Sequence, residues 1–164
     1  MVAARSRLHR VEGQTVPDVR LIPPPASSPA ARAVMRGNRK YDSRPERAVR
    51  SALHRLGLRF RKHARPEPHH NCTADVVFRR ARVVVFVDGC YWHGCPGHGS
   101  LPRTNTEYWT AKIQRNVERD RRNDTQLDAA GWLVLRIWEH EDPREAAERI
   151  AQLVRARVDD DGLV

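Results

Sequence analysis

The stretch Val83 to His98, VVVFVDGCYWHGCPGH, decides how this chain is read. An apolar run of four valines and a phenylalanine ends abruptly in Asp88 and Gly89, and the positions that follow hold Cys90, Tyr91, Trp92, His93, Cys95 and His98. Such a run is too short to span a membrane and is rich in β-branched residues, so it reads as a buried strand. The residues after it emerge at a strand end, where a loop is exposed while the strand beneath is fixed, and reactive side chains gather at such places.

Working outward, Ala74 to Phe78, ADVVF, reads as a second strand. The short basic turn Arg79 to Arg82 joins it to the first as an antiparallel hairpin. Upstream, Leu58 to Lys62, LRFRK, alternates and predicts a further strand with basic residues on one face, followed by a loop broken by Pro66 and Pro68. Ser43-Arg44-Pro45-Glu46 is a capping-box pattern that opens a helix, with Ala48, Val49, Ala52, Leu53 and Leu56 at helical spacing and Gly57 as its stop.

Downstream, Thr106 to Ala130 contains no Pro or Gly and is stopped by Gly131, which predicts a long helix. Its apolar set, Trp109, Ile113, Val117 and Leu127, is thin, while Lys112, Arg115, Arg119, Arg121 and Arg122 crowd it. That face is either simply solvated or turned toward phosphates. Trp132 to Trp138, WLVLRIW, predicts a fourth strand that also ends in a polar cluster, Glu139-His140. Asp142-Pro143-Arg144-Glu145 repeats the capping pattern and opens a last helix burying Ala146, Ala147, Ile150, Leu153 and Val154. The fold class expected from this order is α/β, a mixed sheet flanked by helices.

The 164 residues suffice for one domain with a genuine core. Lys and Arg exceed Asp and Glu to give a formal charge of +10, which favours a polyanionic partner, most often nucleic acid. Residues 1–40 carry eight of the basic and two of the acidic residues, and their Pro-rich composition buries too little apolar area to offset ordering. Residues 1–34 are therefore expected to be a disordered basic tail, 35–158 the folded domain, and 159–164 a disordered C-terminus. No run approaches the ~20 apolar residues of a transmembrane helix. With no apolar leader segment and an odd number of cysteines, a reducing cytoplasm is the expected compartment, with no membrane association.

Cys90, Cys95, His98 and His140 form a soft-ligand set, Cys-x4-Cys-x2-His on one loop closed by a histidine at another strand end. Structural zinc takes four such ligands, and His93 competes for a place on spacing grounds. Asp75 opens a hydrophobic strand and Asp88 closes its neighbour, so two carboxylates brought together there would suit a hard cation such as Mg²⁺. Each can equally cap a turn, and Glu46 can be only the capping-box partner. His93, an imidazole on the same loop, is a candidate proton acceptor. Tyr91, Trp92 and Trp109 stand beside polar loops rather than inside periodic runs, placed either for core packing or for stacking on bases.

Taken together, TADVVFRRARVVVFVDGCYWHGCPGH, PRTNTEYWTAKIQRNVERDRR and LDAAGWLVLRIWEHE resemble the very short patch repair endonucleases, bacterial DNA mismatch endonucleases. The resemblance runs from about Met35 to about Val154. It implies a restriction-endonuclease-like fold with a structural Zn²⁺ and Mg²⁺-dependent nicking of one strand at T·G mismatches, which arise when 5-methylcytosine deaminates. Carried over by position, Asp75 becomes the metal-binding catalytic aspartate, His93 the catalytic histidine, Val87 the residue whose carbonyl helps hold Mg²⁺, and Glu46 the acidic residue of the first helix. Cys90, Cys95, His98 and His140 become the zinc ligands, which releases His93 for catalysis. Tyr91, Trp92 and Trp109 become the wedge beside the mismatch, with Lys112, Arg115 and Arg119 contacting DNA. The chain departs from the pattern at Asp88, where a second histidine is usual and where the carboxylate would either bind metal or change the proton-transfer partner, at Ala74, which replaces a proline, and in the kind of two zinc ligands. The expected partner is double-stranded DNA carrying a mismatch, alongside other DNA repair proteins, with the enzyme a monomer in the nucleoid.

Overall fold

The computed structural model describes residues 22–26, 28–30, 32–33, 41–100 and 103–160. Most of the expected N-terminal tail, and residues 161–164, lie outside them. Within the described residues the chain runs α1 (Arg44–Arg55), β1 (Arg61–Ala64), β2 (Ala74–Phe78), β3 (Val83–Asp88), α2 (Thr106–Ala129), β4 (Leu133–Trp138) and α3 (Pro143–Asp160). The four strands form one sheet in the order β1-β2-β3-β4; β1, β2 and β3 pair antiparallel, and β4 lies parallel to β3. The sheet is therefore mixed and flanked by helices, as the element order predicted. Among the described residues no helix is long and apolar enough to cross a membrane.

α1 starts where its capping residues place it. The Ser43 hydroxyl accepts from the Glu46 N–H at 3.4 Å, and Pro45 occupies a first-turn position whose N–H is not needed. The Glu46 carboxylate reaches back one residue further than the capping-box pattern implies, accepting from the Asp42 N–H at 2.9 Å. Gly57 ends the helix at φ +79°, a conformation that costs glycine nothing. α3 is capped by the Asp142 carboxylate, which accepts from the N–H groups of Arg144 and Glu145 at 2.8 and 3.1 Å.

Two cores follow from strand alternation. Val76, Phe78, Val83, Val85 and Ile137 pack under α1 (Val49, Ala52, Leu53) and α3 (Ala146, Ala147, Ile150, Val154). On the opposite face Val77, Val84 and Phe86 pack with Leu127 of α2 and Trp132. One strand differs from its prediction: the ladder begins at Arg61, opposite Val77, rather than at Leu58. Leu58 and Phe60 pack against the first core ahead of the pairing, which explains the apolar alternation that suggested an earlier start.

Candidate active site

Since β2 runs antiparallel to β3 while β4 runs parallel to it, the start of β2 and the ends of β3 and β4 share one edge of the sheet. That edge opens into a cleft of about 830 Å³ lined by Glu46, Asp75, Val87, Asp88, Trp92, His93, Arg119, Asp120, Arg136 and Glu139, among others. Asp75 and His93 thus face a common space.

Asp75 is the second residue of β2, and its Oδ2 accepts a 2.7 Å hydrogen bond from the Val87 N–H. A strand residue turns its N–H and C=O to the same side, so the Val87 carbonyl faces the same flank as Asp75. Among the described residues no Lys or Arg lies within ion-pair distance of this carboxylate; its nearest basic neighbour is His63, with Nδ1 3.9 Å from Oδ1. Burial pushes the Asp75 carboxyl up to about 6, with the Glu46 charge adding to the rise and the Val87 N–H and His63 offsetting part of it. A buried, uncompensated carboxylate beside a backbone carbonyl is a site that a hard cation would relieve.

Glu46 is buried, and its Oε2 is held both by the Asp42 N–H and by Arg50 at 3.3 Å. Asp42, Glu46 and His63 form a second group with ligand-type atoms close together. There the Arg50 guanidinium already pairs with both carboxylates, so the chain itself supplies the positive charge a cation would bring. His63 was not singled out from the sequence, yet register places it: Lys62 pairs with Val76 and Ala64 with Ala74, so His63 stands opposite Asp75. Its φ of +45° breaks the ladder at that point.

The loop after β3 closes in successive turns, with the N–H groups of Trp92 and His93 bonding to the Gly89 carbonyl and the Cys95 N–H to the Cys90 carbonyl. This winds His93 back over the cleft. There its Nδ1 lies 2.6 Å from Asp120 Oδ2 and 3.5 Å from Asp88 Oδ1. Burial alone would raise the Asp120 carboxyl, but the His93 hydrogen bond and the Arg136 charge outweigh it, so Asp120 stays an anion. With Nδ1–H committed to Asp120, Nε2 is the ring nitrogen left to accept a proton.

Asp88 lines the same cleft. Both of its oxygens are engaged by Arg136 Nη1, at 3.0 and 2.7 Å, and its side chain is only 5% exposed. The carboxylate faces Arg136 and His93, and its charge adds to the rise of the Asp75 carboxyl. Asp120 and Arg136 are absent from the sequence-based site. Both sit inside stretches whose periodicity announced only a charged helix and a strand.

On the far side of the loop Cys90, Cys95, His98 and His140 converge, their ligand atoms all within 4.8 Å of one another. Cys90 Sγ is 3.0 Å from His140 Nδ1, and Cys95 Sγ is 3.8 and 3.9 Å from the Nδ1 atoms of His98 and His140. Burial and the neighbouring Cys95 push the Cys90 thiol up to about 11. Two thiols sharing this space cannot both ionise without a cation between them. His93 belongs to the cleft and not to this cluster. Glu139 ties the two sites together, since it lines the cleft while its Oε1 accepts from the Cys90 N–H at 2.7 Å.

Tyr91, Trp92 and Trp109 form one edge-to-face cluster with centroids 4.8 to 5.8 Å apart. Trp109, 8% exposed, is its base, whereas Trp92 reaches the cleft. The Lys112 ammonium lies over the rings of Trp92, Tyr108 and Trp109, at 5.2 to 5.7 Å from their centroids. Arg119 is half exposed at the cleft and paired with Asp120 at 3.0 Å. Arg115 does not line the cleft.

In sequence, this chain is matched by DNA-cutting enzymes among known proteins. The profile of the family described as DNA mismatch endonuclease Vsr matches residues 27–97. The type II nicking enzyme V.NaeI of Lentzea aerocolonigenes is 48% identical over 118 residues, 71% of this chain and 71% of its own. V.XorIIP of Xanthomonas oryzae pv. oryzae, also a type II nicking enzyme, is 44% identical, covering 67% of this chain and 79% of its own. DNA mismatch endonuclease Vsr of Escherichia coli is 39% identical over 64% of this chain and 66% of its own. The protein is a DNA endonuclease. It belongs to the Vsr family.

Proposed function

We propose that this endonuclease hydrolyses one phosphodiester next to the thymine of a T·G mismatch in double-stranded DNA, in a Mg²⁺-dependent reaction leaving 5′-phosphate and 3′-hydroxyl ends. The observation that carries this reading is the common cleft of Asp75 and His93, fed from two strand ends and walled by aromatic side chains. The mixed sheet, with its reacting groups at one edge, supports the restriction-endonuclease-like class. The names of the relatives support nicking of a single strand.

Asp75 and the Val87 carbonyl are the groups that would hold Mg²⁺, and the uncompensated charge of Asp75 fits a cation there. When bound, Mg²⁺ supplies Lewis-acid stabilisation of the charge that develops on the phosphate oxygens. His93 accepts the proton of the attacking water at Nε2, held in that tautomer and orientation by Asp120 at Nδ1. Glu46, fixed by Arg50 and the Asp42 N–H, keeps a negative wall on the Asp75 side of the cleft. Arg119 lies at the cleft rim, where it meets the DNA backbone. Tyr91 and Trp92 stack against the bases flanking the mismatch, with Trp109 and Lys112 supporting them from below; unstacking costs less at a mispaired step than at a matched one.

Zn²⁺ fits the cluster of Cys90, Cys95, His98 and His140. Tetrahedral coordination by two thiolates and two imidazoles has edges of ~3.3–3.8 Å, and the Cys95 contacts of 3.8 and 3.9 Å match this closely, the Cys90–His140 contact being tighter. Held there, the ion braces from behind the loop that carries His93.

The test is a nicking assay on duplexes that are matched, T·G-mismatched or otherwise modified, with and without Mg²⁺. Nicking confined to the T·G strand and dependent on Mg²⁺ supports the proposal. Nicking of matched duplexes at a fixed site would instead place the enzyme with restriction. A wild type that binds DNA and never nicks would make it a binding module.

A further inference from the structure

Arg136 is an odd residue for its strand. It sits in the parallel register opposite Phe86, on the face turned toward α2, and its guanidinium lies over the Phe86 ring at 4.8 Å from the centroid. Every nitrogen of its fork is engaged. Nη1 grips both oxygens of Asp88, Nε and Nη2 each bond one oxygen of Asp124 at 2.9 Å, and Nη2 is 3.8 Å from Asp120. Three carboxylates from two elements, β3 and α2, are thus gathered around one cation, and two of them touch His93.

We propose that Arg136 is a positioning residue for His93: by clamping Asp88 and Asp124 it holds β3, β4 and α2 in the spacing that sets Asp120 against His93 Nδ1. This rests on the reading of His93 as the proton acceptor. The physical need is plain. Asp88 and Asp120 both approach the same imidazole nitrogen, at 3.5 and 2.6 Å, and without a cation between them their mutual repulsion would drive one away. A planar fork holds two carboxylates at fixed angles, which an ammonium, a compact charge on a flexible stem, does not. It also accounts for an aspartate at position 88. The carboxylate is acceptable there because β4 supplies its partner, and the pair turns a potential metal ligand into support for the histidine. Four hydrogen bonds of the fork go to Asp88 and Asp124, which leaves a single Nη2 N–H, on the side where Asp120 lies 3.8 Å away.

A double-mutant cycle on the full-length, zinc-loaded protein tests this, with kcat and KM measured separately on the nicked duplex. Arg136→Met should lower kcat on the order of 100-fold, the cost of misplacing a reacting group by about an ångström, with KM unchanged. Adding Asp88→Asn to Arg136→Met should recover much of that loss, because the stranded charge is gone. Arg136→Lys should behave like Arg136→Met. Should Arg136→Met fail to fold, Asp124→Asn releases one half of the clamp, and the imidazole ¹⁵N shifts of His93 then report whether Nδ1 keeps its proton and its hydrogen bond. The inference is overturned by wild-type kcat in Arg136→Met, by a double variant no faster than the single one, by a loss residing in KM, or by unchanged His93 shifts in Asp124→Asn. A wild type that nicks nothing while His93 shows the Nδ1–H tautomer would sink the proposed function and leave the positioning geometry standing.

Discussion

Asp75→Asn should make the metal-free protein more stable at alkaline pH while abolishing its activity. The Asp75 carboxyl is raised from 3.8 to about 6, first by burial. The folded state therefore binds this proton more tightly than the unfolded chain. The stabilisation is fully present below pH 3.8 and is lost as the pH climbs through about 6. Two pKa units correspond to about 3 kcal/mol, and since the side chain is only 20% exposed, solvent screening removes little of it. Asparagine keeps an oxygen for the Val87 N–H and carries no charge, so the variant escapes that penalty. In Mg²⁺-free buffer at pH 8, without a chelator that would strip the soft-ligand cluster, its melting temperature should exceed wild type by on the order of 10 °C. The gap should close as the pH falls from 6 to 4. Mg²⁺ at ten times its dissociation constant should restore about 1.4 kcal/mol to wild type and nothing to the variant. Thermal or urea unfolding across this pH range is the assay. Equal stabilities at pH 8, or a gap that persists at pH 4, would show that Asp75 carries no buried, uncompensated charge.

Other outcomes follow from the same geometry. Asp88→Asn should leave the Mg²⁺ concentration for half-maximal nicking unchanged, because Arg136 already occupies that carboxylate; a rise of tenfold or more would return Asp88 to the metal. Elemental measurement should find one zinc per chain, and Cys95→Ser should release it and lower the unfolding temperature. Gly94→Ala should destabilise by about 1–3 kcal/mol in urea unfolding, since Gly94 has φ +67° and an added Cβ would sit 3.3 Å from Val117 Cγ2, pushing the His93 loop off α2. Trp92→Ala should weaken binding to a mismatched duplex by about 1–3 kcal/mol in a titration, with a smaller loss on matched DNA.

Much of this protein is written locally. The β-branched run Val83 to Val87, the two capping patterns and the Gly57 and Gly131 stops each act over a few residues, so they survive being read one at a time. The soft-ligand spacing and the aspartate at a strand start are of the same kind. The resemblance carried by the motifs pointed to the Vsr family, to which the chain belongs, and with it to Asp75 and His93 as candidates.

What sequence alone left undetermined was which charges meet. Asp120 and Asp124 lie four residues apart in a helix dense with arginines, and Arg136 sits in an apolar strand; nothing local distinguishes them from solvated charge. Only the parallel docking of β4 beside β3, with α2 laid across, puts that guanidinium between Asp88 and Asp124 and turns Asp120 toward His93. Likewise His63 acquires its place opposite Asp75 through strand register, which no short window contains. Local pattern selects helices, strands and caps because their energies depend on near neighbours. Electrostatic partners in a buried site are chosen by pairings between distant segments, so in this chain the tertiary structure decided them.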